Sequence, residues 1–101
     1  MSFLVRVRAA AEADLGRAFL WYAQQAPEQV SRLLAEFEAV SKRIGTEPLA
    51  SRSIGSGVRS AHLKVFPYQL WYRVREPLSE VEVLAVVHDR QDRAGFIDRL
   101  I

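Results

Sequence analysis

The sequence predicts an α+β domain: an N-terminal strand, then an antiparallel helical hairpin packed on a mostly antiparallel four-stranded sheet, then a short C-terminal helix. Three observations predict it. Two amphipathic helical stripes follow one another with very few residues between them, which forces an antiparallel pair. Three strand-like segments separated by short turns fill the stretch from Val58 to His88. Finally, 101 residues, half of them apolar, suffice for one packed core and not for two. Residues 1–101 are therefore read as a single domain.

Each element has its own local reason. Phe3, Val5 and Val7 alternate with Leu4, Arg6 and Arg8, the period of a strand with one face inward. Leu15, Phe19, Tyr22 and Ala26 recur at helical spacing and predict a helix over about 10–25. Ala9-Ala10-Ala11 offers no capping side chain, so Glu12 and Asp14 are expected to serve the positive end of that helix. Pro27 suits a first helical position, and Val30, Leu33, Leu34, Phe37, Val40 and Ile44 line one face of a second helix over about 27–44. Gly45 is expected to stop it, and Pro48 to prevent its resumption.

Thr46 to Gly57 is rich in Ser, Gly and Pro and reads as a loop. Leu63 and Val65 then alternate with His62 and Lys64 until Pro67 breaks the ladder at a turn. Tyr68, Leu70, Tyr72 and Val74 alternate with Gln69, Trp71, Arg73 and Arg75, giving one apolar and one basic-aromatic face. After a turn at Glu76–Ser79, Val81, Val83, Ala85 and Val87 share one face, with Glu82, Leu84 and Val86 on the other. Apolar residues on both faces mark a central strand. Phe96, Ile97, Leu100 and Ile101 predict the closing helix within 91–101. The core is expected to bury Leu15, Phe19, Tyr22, Leu33, Leu34, Phe37, Leu63, Tyr72, Val83 and Ala85.

Charge is segregated rather than abundant. The net charge is only +2, yet between Glu47 and Glu76 there is no acid, while Arg52, Arg59, Lys64, Arg73 and Arg75 all fall there. Such a stretch suits an acidic partner, whether nucleic acid or an anionic protein segment. Cysteine is absent, which excludes disulfides, a thiolate nucleophile and thiolate-held metals. Two histidines make no dedicated transition-metal site, and no cofactor is called for. Apolar runs fall well short of the roughly 20 residues of a membrane span. Arg6 also interrupts any apolar signal core, so a cytoplasmic location with no membrane partner is expected.

The order of these features resembles the RelE/ParE superfamily of bacterial toxins. The likeness is carried by Ala13-Asp14-Leu15, the interval from Tyr22 to Pro27, Arg59, the Phe66-Pro67-Tyr68 turn, Tyr72-Arg73-Val74, and Val87-His88-Asp89-Arg90 with Asp92 beyond. Within the superfamily, the long hairpin and the His88-x-Arg90-x-Asp92 ending are similar to the ParE-like branch. That resemblance implies a type II toxin that inhibits DNA gyrase by binding and is neutralised by a cognate antitoxin, and it allows a toxin–antitoxin hetero-oligomer. Arg59, Trp71, Arg73, Arg75, Arg90 and Arg93 would then be residues that contact target or antitoxin.

The RelE-like alternative is a metal-independent endoribonuclease acting on messenger RNA at the ribosome. Such a cut needs a base for the 2′-hydroxyl, cations for the phosphate and an acid for the leaving oxygen. Arg59 and Arg73 would clamp the phosphate, Lys64 would be a cation or base, and His88 a base or acid. RelE-like ribonucleases usually carry a tyrosine near the C-terminus, which residues 93–101 lack. A diverged protein that binds an antitoxin but poisons nothing is a third reading. His88 is equally able to serve a backbone carbonyl, and Trp21 and Trp71 are read as packing residues rather than stacking platforms.

Overall fold

The computed structural model describes residues 2–91. The chain begins with strand β1 (Leu4–Val7) and helix α1 (Ala9–Gln25), followed by a 3-10 turn (Pro27–Gln29) and helix α2 (Val30–Thr46). Strands β2 (Arg52–Gly55), β3 (Val58–His62), β4 (Tyr68–Arg75) and β5 (Glu80–His88) complete it, with a second 3-10 turn at Glu76–Leu78. The predicted closing helix, apart from Gln91, lies outside the described residues. So does Arg93.

The strands form one sheet in the order β1-β5-β4-β3-β2. β2 through β5 are an antiparallel meander, and β1 joins the outside of β5 in parallel, Leu4 opposite Glu80 and Val7 opposite Val83. The predicted class is therefore found with five strands rather than four. The extra strand, β2, lies in the segment read as loop. Its turn into β3 has two central residues, Ser56 and Gly57, at φ 54° and 74°, with Gly55 paired to Val58. Positive φ at both positions is the type I′ geometry that matches the twist of a hairpin. A Ser/Gly-rich composition hides so short a strand.

Both helices lie on one face of the sheet, α1 against β5 and α2 against β1 and β3. Ala11, Leu33, Phe37, Val40 and Ile44 meet Leu70, Tyr72, Val81, Val83 and Val86 in the main core, with Leu15, Phe19 and Tyr22 half-buried around it. Val58, Trp71, Leu84, Ala85 and Val87 form a second buried cluster, packed with Ile54. The division in β5 departs from simple alternation. Trp71 pairs with Ala85 but Tyr72 with Val83, so one extra β5 residue is accommodated there. Such a bulge resets the side-chain parity. Val86 consequently joins Val81 and Val83 in the main core, while Ala85 and Val87 belong to the second cluster.

Two further expectations are corrected. Leu34 is 47% exposed, because the buried stripe of α2 runs through Leu33, Phe37, Val40 and Ile44. Gly45 does not end α2. It lies buried inside the last turn, where its carbonyl accepts the Phe3 N–H at 2.7 Å. An added Cβ would stand 3.0 Å from Val5 Cγ2 and 3.1 Å from Phe3 O, so glycine is needed here for close approach of β1.

Candidate interaction surface

The sequence places its cations together; the sheet does not. Arg59 pairs with Tyr72, a core residue on the helix side, and its guanidinium donates to the carbonyls of Leu49 (3.3 Å) and Ser51 (2.8 Å). It therefore holds the 47–51 loop, to which Tyr72 also donates, from its hydroxyl to Pro48 O at 2.6 Å. Arg73 and Arg75 alternate with Tyr72 and Val74 and so project to the opposite face, in register with Glu82 and Glu80. Lys64 lies in the β3–β4 connection, where its backbone N–H and that of Val65 donate to the Glu36 carboxylate. His88 sits at the far end of β5 with its ring edge-on to Tyr68, centroids 5.1 Å apart. Arg59 and Arg73 thus lie on opposite faces, while Lys64 and His88 lie at the end of the sheet where β3 turns into β4, so the four are not gathered around one phosphate.

The β4 part of the acid-free stretch is also balanced in space. Glu82 lies 3.2 Å from Arg8 and 4.0 Å from Arg75, and Glu80 lies 3.9 Å from Arg6. The sequence shows no acid between residues 48 and 75, but the antiparallel return of β5 sets Glu82 opposite Arg73 and Glu80 opposite Arg75. Partly exposed pairs of this kind add little stability. Their effect here is on the field, which loses its one-sided sign. Arg52 and Arg90 are exposed at the edge and at the end of the sheet.

Trp71 is only 2% exposed. Its indole N–H donates to Gln69 Oε1 at 2.8 Å, the same oxygen that accepts from Ser60 Oγ at 2.7 Å. Gln69 Nε2 in turn donates to Asp89 Oδ1 at 3.1 Å, and that oxygen is 3.7 Å from His62 Nδ1. A buried glutamine with its amide satisfied on both sides fixes a unique arrangement. It also commits the Ser60 proton to an amide oxygen rather than to a base that would make the hydroxyl a nucleophile. Trp71 is a packing residue here rather than a surface anchor. Sequence reading passed over Gln69, whose polarity hides its burial in an alternating strand.

The exposed aromatics lie elsewhere. Trp21, read as packing, is 54% exposed. Its ring stands edge-on to Tyr22 (4.8 Å), and Tyr22 stands edge-on to Phe66 (5.3 Å). Trp21, Tyr22, Pro67, Tyr68 and His88 line a groove of about 370 Å³. A second hollow of about 220 Å³ shares Tyr68 and His88 with it and continues past Asp14, Arg17, Ala18, Val86 and Gln91. Burial raises the Tyr22 and Tyr68 phenols above their ordinary value, Tyr68 further through repulsion from Tyr22. Both therefore stay protonated well beyond neutral pH. His88 Nδ1 accepts the Arg90 N–H at 3.1 Å, which leaves the proton of the neutral ring on Nε2.

Asp14 closes the floor of this region. It is buried, pairs with Arg17, and accepts the Val86 N–H at 3.0 Å. The expected role at the helix dipole is thus replaced by a structural one. β1 stops at Val7, so the outer edge of β5 beyond Val83 needs acceptors from elsewhere, and α1 supplies one.

The fold and these residues can be set against known proteins. A family profile described as the ParE toxin of type II toxin-antitoxin system, parDE, matches residues 5–93. Toxin ParE2 of Mycobacterium tuberculosis is 36% identical over 93 residues, covering 91% of this chain and 87% of that protein. Among solved structures, the chromosomal ParDE toxin–antitoxin system from P. aeruginosa superposes with a TM-score of 0.73 at 22% identity, over 86% of this chain and 96% of its own. The RelBE2 toxin–antitoxin complex from Mycobacterium tuberculosis gives 0.58 at 25% identity, over 87% and 99%. Profile and relative together span most of the sequence, and the chain belongs to the ParE toxin family of type II toxin–antitoxin systems.

Proposed function

We propose that this toxin arrests bacterial growth from the cytoplasm by binding and inhibiting DNA gyrase, and that a cognate antitoxin neutralises it by direct association. The observation that carries this reading is the dispersal of the candidate ribonuclease groups. Arg59 is spent on a loop, Arg73 lies on the opposite face, Lys64 is in a connection, and His88 is packed against Tyr68 at the sheet's far end. Metal-free RNA cleavage needs base, acid and phosphate clamp within about 3 Å of shared reacting atoms. A surface that binds a protein needs no such convergence. The antitoxin partner is supported by the solved complexes of similar toxins.

Expression without antitoxin is expected to stop growth, and co-expression with the antitoxin to restore it. Purified toxin should block supercoiling by gyrase and leave translated messenger RNA intact. Ribosome-dependent cleavage of messenger RNA that disappears in His88→Ala would overturn the proposal and make the protein a ribonuclease.

A further inference from the structure

Of the residues that the sequence offers for target contact, Arg75 is paired with Glu82, Arg73 lies in register with Glu82, Arg59 is bonded to loop carbonyls, and Trp71 is buried. One surface keeps the chemistry of a binding hot spot, the groove between the C-terminal half of α1 and the ends of β4 and β5. Trp, Tyr and Arg dominate such hot spots. Here Trp21, Tyr22, Tyr68 and Arg17 stand together around His88. The rings are held before any partner arrives, Trp21 against Tyr22, Tyr22 against Phe66, and Tyr68 against His88. A preformed rim loses little side-chain freedom on binding.

The polar tips define what fits. The hydroxyls of Tyr22 and Tyr68 have no hydrogen-bond partner among the described residues, and both phenols stay protonated. His88 Nε2–H and the remaining N–H groups of Arg17 add donors to the same hollow. The groove is therefore lined by aromatic rings and continues into a hollow that carries donors. In the hollow Arg17 is balanced by Asp14. Nucleic-acid binding draws on an excess of cations that neutralise several phosphates. A protein surface that presents an apolar side chain flanked by carbonyl or carboxylate oxygens complements this lining better.

From this we infer that the Trp21–Tyr22–Tyr68–His88 groove is the surface with which the toxin grips its protein target, seating an apolar side chain bordered by hydrogen-bond acceptors. The inference rests on the gyrase reading above.

The test uses gyrase holoenzyme and the intact toxin. Because Trp71 is buried, iodide should quench Trp21 selectively, and gyrase should protect it. Trp21→Ala should raise the toxin concentration for half-inhibition of supercoiling by about 30-fold, the equivalent of a hot-spot loss of about 2 kcal/mol. Trp21→Phe should recover much of that loss, and Tyr68→Phe, which keeps the ring, should weaken inhibition several-fold. Antitoxin affinity and melting temperature should stay unchanged in all three. If wild-type toxin inhibits gyrase and Trp21→Ala inhibits it equally well, the groove is not the contact and this inference alone falls. If wild-type toxin does not inhibit gyrase, the gyrase reading falls and takes the groove's assignment with it. Protection of Trp21 by DNA without gyrase would make the partner a nucleic acid, and a matching loss of antitoxin affinity would make the groove an antitoxin site. Either result overturns the inference.

Discussion

Leu33 and Leu34 are neighbours about 100° apart around α2, and that angle separates a core residue from a surface one. Leu33 is fully buried among Phe37, Val40 and the sheet, whereas nearly half of Leu34 faces water. Leu33→Ala should cost about 2–5 kcal/mol in urea unfolding, through lost transfer energy and a cavity, and Leu34→Ala less than about 1 kcal/mol. Equal losses would show that the stripe is misplaced. Helical periodicity made the face of α2 legible but could not choose between adjacent leucines, because both fall within a stripe more than 100° wide. Trp21 and Trp71 were equally opaque for another reason. Burial of a large aromatic depends on what the opposite element brings to it, and the two indoles ended in reversed surroundings.

Among the elements, the reliance of β5 on α1 is the least visible in sequence. Asp14 looks like a residue of the helix N-terminal region, yet its carboxylate completes the hydrogen bonding of a strand edge at Val86. Asp14→Ala should strand that buried N–H and cost about 1–3 kcal/mol. Amide exchange at Val86 should accelerate more than at Val81, which lies beside β1; equal acceleration would mean general destabilisation instead. The helices, β4 and β5 were readable because each carries a sustained period, whereas the alternation over residues 62–65 falls mostly past β3, which ends at His62. β2 and the β5 bulge were not readable, since one is four residues long and the other depends on a partner strand.

For the molecule as a whole, burial of Tyr22 and Tyr68 ties stability to alkaline pH. Their folded-state values lie above the ordinary 10.0, so the folded chain keeps protons that the unfolded chain releases. Their contribution is fully present below about pH 10 and declines as pH rises toward and through the folded values. Unfolding free energy should therefore fall as pH rises above about 10, and the double variant Tyr22→Phe, Tyr68→Phe should flatten that slope. An unchanged slope would place the titration elsewhere. The charge pattern was the least transferable sequence signal at this scale. An acid-free stretch predicts a basic face only if no acid returns beside it, and Glu80 and Glu82 do return.

The parallel pairing of β1 with β5 ties the beginning of the fold to its end in time. Leu4 finds its neighbour only at Glu80. On a growing chain, which lengthens by about 5–20 residues per second, β1 must wait without a strand partner until β5 has been made. Contacts so distant in sequence also slow the closing step. The pairing of β1 is thus postponed until some eighty residues after it have been made.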